Sequence, residues 1–226
     1  MFSNFLNSLA KKPDKITQAL VGLGENPVTL VFVFLLLIGV FALISMKKIK
    51  LTTALMTQIA VSIAVAAVLN MLVIFRMPQG GSVTLASMVP IYLLALAHGP
   101  EIGMLAGLLF GMVDLFLGAS IFHPLQVLLD YPLAFMFIGI AGFFPRHVNL
   151  GMFLATILRL SCHVLSGYIF FAAYAPEGTH PFIYSLLYNG SFLLTDLLIA
   201  ALVMNFIPLK RLIKALNPQS RDFTMW

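Results

Sequence analysis

Long apolar runs separated by short turns are the feature of this sequence that most constrains its fold. A helix that crosses a bilayer needs about 17–25 predominantly apolar residues, so runs near this length predict membrane-spanning helices. Such runs occupy residues 28–45, 51–75, 83–98, 102–117, 123–144, 150–174 and 182–207. The pattern predicts an all-α integral membrane protein with several spans and short connections.

The composition supports one membrane domain. Hydrophobic residues make up 61% of the 226 residues and charged residues 9%, whereas soluble domains contain about 45–50% and 25%. The segments outside the spans are too short to form a second core. The net charge of +5 lies mostly at the chain ends and in short loops, which fits anionic lipid headgroups better than nucleic acid. Membrane lipid is therefore an expected partner, and nucleic acid is not.

The first fifty residues differ from the rest of the chain. Residues 1–22 place apolar side chains at helical spacing around lysines, a pattern compatible with an interfacial helix or with a mobile leader. Residues 28–45 are long enough to span the bilayer, and we expect no cleavable signal peptide before them. We therefore divide the chain into a leader with an extra transmembrane helix at 1–50 and a membrane domain with a basic cytoplasmic tail at 51–226.

The run at 123–144 carries a carboxylate, Asp130, at membrane depth. An ionised Asp inside a bilayer costs about 2.5–3.5 kcal/mol and is kept where it meets a partner. Gln126 lies four residues earlier on the same helix face, with Tyr131 alongside. Asp130 could form a helix-packing hydrogen bond or accept from a cationic or hydrogen-bond-donating ligand. Arg159 is a further intramembrane charge, which could snorkel or pair with Asp130 or Asp196.

Basic residues predict which turns face outward. The lysines at 47–50, Arg146 and the basic tail favour the cytoplasmic side, so the turns at 76–82, 118–123 and 175–181 face outward. Asp130, His163, Tyr184 and Asn189 then lie near the outer ends of three different helices, with Asp130 about 10 Å below the mouth of its helix. The sequence therefore predicts an outward-opening pocket.

Small residues and prolines suggest where helices pack or bend. Ala60 and Ala64 are one turn apart, a spacing that allows another helix to approach closely, although ordinary internal packing would use the same pattern. A second stripe consists of Gly103, Gly107 and Gly111. Pro90 is expected to kink the span at 83–98.

Catalytic and metal-binding motifs are not evident in the sequence. It contains no HExxH, no C-x-x-C, no Walker loop and no G-x-S-x-G. Ser166 lies near His163 on the same helix without an evident orienting base, and the histidines lack persuasive metal-ligand spacing. We expect neither catalysis nor a metal. A carboxylate, aromatic faces and neutral hydrogen-bonding groups suit a flat, amine-bearing, cationic heterocycle instead.

Five motifs in order give the sequence a family resemblance. They are PQGGSV at 78–83, HPLQVLLDY at 123–131, HVLSGYIFF at 163–171, AYAPEGT at 173–179 and YSLLYN at 184–189. Together they resemble the thiamine-specific substrate-binding (S) component of energy-coupling-factor (ECF) vitamin transporters. The resemblance implies a six-helix S-component bundle in a bacterial plasma membrane, with an extracellular vitamin site and no ATPase of its own. It also implies association with a transmembrane T subunit and two ATP-binding-cassette (ABC) ATPases.

Carried over by motif position, the resemblance assigns roles to individual residues. The expected substrate-binding residues are Asp130, Tyr131, His163, Phe171, Tyr184, Asn189 and, on the face of Asp130, Gln126. The expected gate loop is Gln79, Gly80, Gly81 and Ser82, and the expected T-subunit contact is Ala60 with Ala64. Some family members have Glu at the Asp130 position and Trp at the Phe171 position, and the gate here lacks the Trp of some members.

These observations give one principal hypothesis. The chain is expected to capture extracellular thiamine with high affinity, and partner subunits supply ATP energy; no cofactor is expected. The alternatives are an S component for another vitamin or precursor, pyridoxine-like or hydroxymethylpyrimidine, and a membrane-embedded enzyme that uses His163 and Asp130.

Overall fold

The computed structural model describes residues 51–117 and 121–220. The expected leader and extra span at 1–50 lie outside the described residues. The helices are α1 (Thr53–Met71), α2 (Val89–His98), α3 (Pro100–Phe116), α4 (residues 124–143), α5 (Val148–Phe170), α6 (Pro181–Phe206) and α7 (Leu209–Leu216). Strands β1 (Val73–Arg76) and β2 (Ser82–Thr84) form an antiparallel hairpin between α1 and α2.

Helices α1 to α6 form the predicted six-helix membrane bundle. Within the described residues, four segments are long and apolar enough to cross a membrane: Thr53–Met71, Leu125–Phe143, Val148–Phe170 and Pro181–Phe206. Helix α2 is a shorter apolar helix. We call the end that carries the β-hairpin the hairpin end and the end that carries α7 the tail end.

The hairpin corrects two predicted spans. Residues 51–75 and 83–98 were expected to be helical throughout, but Val73 pairs with Thr84 and Arg76 with Ser82. The residues between the strands cannot continue a helix, because Pro78 lacks a backbone donor. The predicted kink at Pro90 is also wrong. Helix α2 begins only at Val89, so Pro90 lies in its first turn, where a missing N–H group is tolerated.

Helix α4 changes its winding where it carries Asp130. It is α-helical over Pro124–Leu128, π-helical over Leu129–Leu133, α-helical over Ala134–Met136 and 3-10 over Phe137–Phe143. His123 caps its start by accepting from the Leu125 N–H group at 3.2 Å. Pro132 lies inside the π-helical turn and has no N–H group to give to a regular ladder. Such turns often occur at functional sites.

The predicted glycine stripe lies where α3 meets α4. A Cβ atom added to Gly111 would lie 2.6 Å from the Tyr131 carbonyl oxygen, and one added to Gly107 would collide with the Phe135 carbonyl. Only glycine allows such an approach of two backbones. The stripe therefore holds α3 directly against the turn of α4 that carries Asp130.

Two clusters of buried side chains surround these contacts. The larger follows α2 and the second half of α4, where Ile91, Leu94 and Phe137 are fully buried. The smaller lies at the hairpin end and joins Val83 of β2 to Phe192 of α6. The hairpin is thus anchored in apolar packing at its β2 strand.

At the tail end, α7 is amphipathic. It buries Leu209 and Ile213 and leaves Lys210 exposed. The Gln58 side chain of α1 donates through Nε2 to the Leu216 carbonyl at 3.0 Å and accepts at Oε1 from His98 Nε2 at 2.8 Å. These contacts attach the end of α7 to the start of α1, and the start of α1 to the end of α2.

Candidate ligand-binding cavity

A cavity of about 510 Å³ opens at the hairpin end, between the hairpin, α1 and helices α3 to α6. Ligand pockets in proteins commonly have volumes of about 300–1,000 Å³. The predicted substrate-binding residues that line it are Gln126, Asp130, Tyr131, His163, Phe171, Tyr184 and Asn189. The predicted gate residues Gln79, Gly80, Gly81 and Ser82 also line it. The structure therefore brings the whole predicted set to one cavity.

Asp130 is held by three side-chain donors. Its Oδ2 accepts from Gln126 Nε2 at 2.8 Å and from Ser166 Oγ at 2.7 Å. Its Oδ1 lies 3.1 Å from His163 Nδ1. An ionised carboxylate only accepts, so this His nitrogen carries the proton. Asp130 thus ties α4 to α5, as a packing residue would, and also lines the cavity, as a binding residue would.

His163 has one nitrogen left over. Its Nδ1 is used by Asp130, while its Nε2 is buried and has no hydrogen-bond partner among the described residues. In the neutral imidazole that nitrogen is an acceptor. The Ser166 hydroxyl donates to Asp130 and not to His163, so the three residues do not form the Ser–His–acid order of a hydrolase.

Asn189 is fixed on α6 by its own side-chain nitrogen. Its Nδ2 donates to the Ser185 carbonyl at 2.8 Å, and the Ser185 hydroxyl donates to the Val164 carbonyl at 3.0 Å. These bonds join α6 to α5 beside the cavity and orient the amide. Tyr184 lies one turn earlier, with its ring 5.9 Å from that of Tyr188.

Phe171 and Tyr174 line the cavity, and further aromatic rings pack beside them. Phe171 meets Phe122 edge to face at 5.1 Å and Tyr174 at 6.1 Å. His123, just before α4, stacks on Phe170 at 5.1 Å, and partial burial lowers its pKa below the usual value for histidine. Aromatic faces in the lining of a cavity suit a flat or cationic ligand.

A second polar group lies deeper, below the hairpin. Arg159 Nη1 lies 3.9 Å from Asp196 Oδ2, and its guanidinium lies 4.4 Å from the centre of the Phe135 ring. Thr84 of β2 donates its N–H and its hydroxyl to Asp196 Oδ1, both at 3.0 Å. Of the two partners that the sequence allowed for Arg159, the structure selects Asp196.

Several lining residues were not predicted as part of the site. They include Asn70, Asp114, Arg159, Ser166, Tyr188 and Asp196. Asn70 Nδ2 donates to Asp114 Oδ1 at 2.7 Å, which joins the end of α1 to the end of α3. The intramembrane acids and Arg159 gave a signal in the sequence, because such charges require partners. Nothing in the sequence singled out Asn70.

The gate residues are attached to α6. The Gln79 N–H group at the hairpin tip donates to Tyr188 Oη at 2.9 Å. A Cβ atom added to Gly81 would lie 2.6 Å from the Phe192 ring. Ala60 and Ala64, in contrast, lie exposed on α1 and do not line the cavity.

Comparisons with known proteins agree on one family. Residues 56–216 match the family described as thiamine transporter protein. The thiamine transporter ThiT of Bacillus subtilis is 37% identical over 180 residues, which cover 70% of this chain and 93% of that protein. The ThiT of Lacticaseibacillus paracasei is 31% identical over 140 residues, or 53% of this chain and 70% of that protein. A solved structure of ThiT from Listeria monocytogenes has a TM-score of 0.63 at 25% identity, covering 70% of this chain and 96% of that one.

Proposed function

The chain belongs to the thiamine transporter protein family, and we propose that it is the substrate-binding membrane subunit that captures thiamine for uptake. Membership makes it a multi-pass bacterial membrane protein with a role in transport and not in catalysis. The observation that carries the proposal is the convergence of an acidic, an imidazole and an amide side chain from α4, α5 and α6 on one cavity.

The charge of the cavity favours a cation. Three carboxylates, Asp114, Asp130 and Asp196, line it together with the partly buried Arg159. An excess of carboxylate in a site of low dielectric attracts a positive ligand more strongly than it would in water. Thiamine carries a permanently positive thiazolium ring joined to a neutral aminopyrimidine, so its charge complements this lining.

Asp130 is proposed to recognise the amino end of the vitamin or to offset its charge. The three donors around the carboxylate fix it before any ligand arrives, and a fixed group loses little freedom on binding. His163 Nε2, buried without a partner among the described residues, is proposed to accept a hydrogen bond from the ligand. Gln126 acts through Asp130, because its amide donates to that carboxylate.

The remaining predicted residues are proposed to position the rings. Phe171 and Tyr131 line the cavity as aromatic faces, and a cation over such a face gains about 0.5–2 kcal/mol. Asn189 has its nitrogen engaged with Ser185, so its carbonyl oxygen is the atom available to a ligand. Tyr184 supplies a hydroxyl from the preceding turn of α6.

The cavity is proposed to face the outside of the cell. The basic residues Lys210, Arg211 and Lys214 of α7 lie at the tail end, away from the hairpin, and positive residues are enriched on the cytoplasmic side. Thiamine would then enter from outside beside the hairpin, with Gln79, Gly80, Gly81 and Ser82 acting as the gate.

Transport is proposed to require an ECF module of a T subunit and two ABC ATPases. The sequence has no nucleotide-binding motif, so the energy of ATP hydrolysis would reach the cavity through helix contacts. Helix α1 is the proposed contact, because Ala60 and Ala64 are exposed on a face that carries small side chains. Small residues let two helices approach closely in a membrane.

The most direct test is to identify the compound that the purified chain carries. The protein is purified in detergent from cells supplied with thiamine, and the ligand released on denaturation is identified by mass spectrometry. We expect thiamine in near-equal amount to protein. In titrations of ligand-free protein, pyridoxine and hydroxymethylpyrimidine should compete poorly, because neither carries the thiazolium charge. Release of another compound, or equal competition by these two, would contradict the proposal.

A further inference from the structure

We infer that Tyr188 is a positioning residue that latches the hairpin over the cavity and so sets the rate of ligand release. The inference rests on the proposed function, and it concerns a residue outside the predicted binding set. Tyr188 belongs to a stripe on α6 in which side chains recur every fourth residue. The stripe consists of Tyr184, Tyr188, Phe192 and Asp196.

The stripe meets the hairpin at successive points along its length. At the base, Thr84 donates twice to Asp196. In the middle, Gly81 lies so close to the Phe192 ring that any side chain there would collide with it. At the tip, the Gln79 N–H donates to Tyr188 Oη at 2.9 Å. Helix α6 is thus the surface on which the hairpin rests.

The attachments at the two ends differ in strength. The base uses two hydrogen bonds to a buried carboxylate, and hydrogen bonds to charged groups are stronger than those between neutral groups. The tip has a single bond, which joins the neutral Gln79 N–H and Tyr188 hydroxyl. When the hairpin opens, its tip should therefore detach from Tyr188 while its base stays on Asp196.

The same stripe also reaches the binding residues. The Tyr188 ring lies 6.1 Å from Phe192, and Phe192 meets the His163 ring at 6.1 Å. His163 in turn bonds Asp130. A ligand that fixes His163 would therefore steady Phe192, against which Gly81 rests, and favour the closed position of the hairpin.

The test measures the association and release rates of radiolabelled thiamine on the purified full-length chain. Tyr188→Phe removes the hydroxyl and keeps the ring. We expect release to become about three- to tenfold faster, because one neutral hydrogen bond that holds the hairpin closed is lost. Association should be unchanged or faster. The matched control is Tyr168→Phe, because Tyr168 packs on Phe182 and does not line the cavity; both of its rates should stay at the parent values.

A second variant tests the same closed state by another contact. Gly81→Ala places a methyl group against the Phe192 ring and should also speed release. In the double variant with Tyr188→Phe, the fold-increase in release rate should be smaller than the product of the two single increases, because both substitutions weaken the same closed position of the hairpin.

The outcomes separate the latch from the proposed function. Failure of the parent chain to bind thiamine would overturn the proposed function and the latch with it. Thiamine binding by the parent with parental release from Tyr188→Phe would overturn the latch alone. Slower association of Tyr188→Phe with parental release would also overturn it, since that pattern indicates a damaged cavity.

Discussion

Helices α1 and α5 are both apolar spans, yet the bundle treats them differently. In the most apolar 18-residue stretch of α5, 56% of the residues are buried, against 11% in that of α1. Helix α5 supplies His163, Ser166 and Arg159 to the cavity, while α1 buries only Ile59 and Ala66 along its length. Lipid can cover the remainder of α1, because apolar side chains pack as well against lipid tails as against protein.

The difference shows how one small bundle can present two surfaces with different roles. The side made of α4, α5 and α6 has polar groups bonded across helices, so it keeps its shape without a ligand. The α1 side is attached at its ends, by Gln58 to His98 and by Asn70 to Asp114. We interpret the first side as the binding wall and the second as a face left open for a protein partner.

The largest expected effect tests the binding wall. Asp130→Ala should weaken thiamine binding about 100-fold, because hydrogen bonds to a charged group contribute about 1.5–3 kcal/mol and each 1.4 kcal/mol is about tenfold in Kd. His163→Ala should weaken it about tenfold through the loss of one acceptor. Isothermal titration of the purified variants measures both.

Matched controls for these variants lie on exposed turns. Glu177→Ala removes a carboxylate and His147→Ala an imidazole, and both residues are exposed and outside the cavity. Their Kd for thiamine should equal that of the parent chain. If Asp130→Ala and His163→Ala both bind thiamine with the affinity of the parent chain, the assignment of the binding site is contradicted.

A smaller effect tests the close contact between the glycine stripe of α3 and α4. Gly107→Ala puts a methyl group against the Phe135 carbonyl, and overpacking of this kind costs about 1–3 kcal/mol. Its Tm in detergent should fall. Gly190→Ala is the matched control, because a Cβ atom there meets nothing within 4 Å; alanine is the better helix former, so its Tm should hold or rise. Equal Tm values for the two variants would contradict the close α3–α4 contact.

The smallest expected effect on the isolated chain belongs to the α1 face. Ala64→Leu should leave thiamine affinity within about twofold, because surface substitutions usually change stability by no more than about 0.5 kcal/mol. The same variant should reduce co-purification of a co-expressed T subunit about tenfold, since a larger side chain holds the helices apart. Ala54→Leu adds the same bulk near the start of α1, about 80° around the helix from Ala64 and about 120° from Ala60, and should retain the T subunit. Loss of thiamine binding in Ala64→Leu would contradict the separation of the α1 face from the binding wall.

The sequence by itself determined the features that depend on local chemistry. Apolar length located the six helices of residues 51–207, because a bilayer fixes how long a span must be. The spacing of Gln126 and Asp130 predicted a shared face, and the two side chains are bonded at 2.8 Å. The cost of an intramembrane charge also indicated that Asp130 and Arg159 would have partners.

Tertiary structure decided which distant groups meet. Residues 73–75 and 83–84 look like the ends of the neighbouring apolar runs, yet they form a hairpin because β2 pairs with β1 and rests on α6. Asn70 meets Asp114 across 44 positions, and Gln79 meets Tyr188 across 109. Hydropathy and helical period describe one turn or one span of the chain. These partners meet because of the way whole helices pack, and no local sequence pattern contains that information.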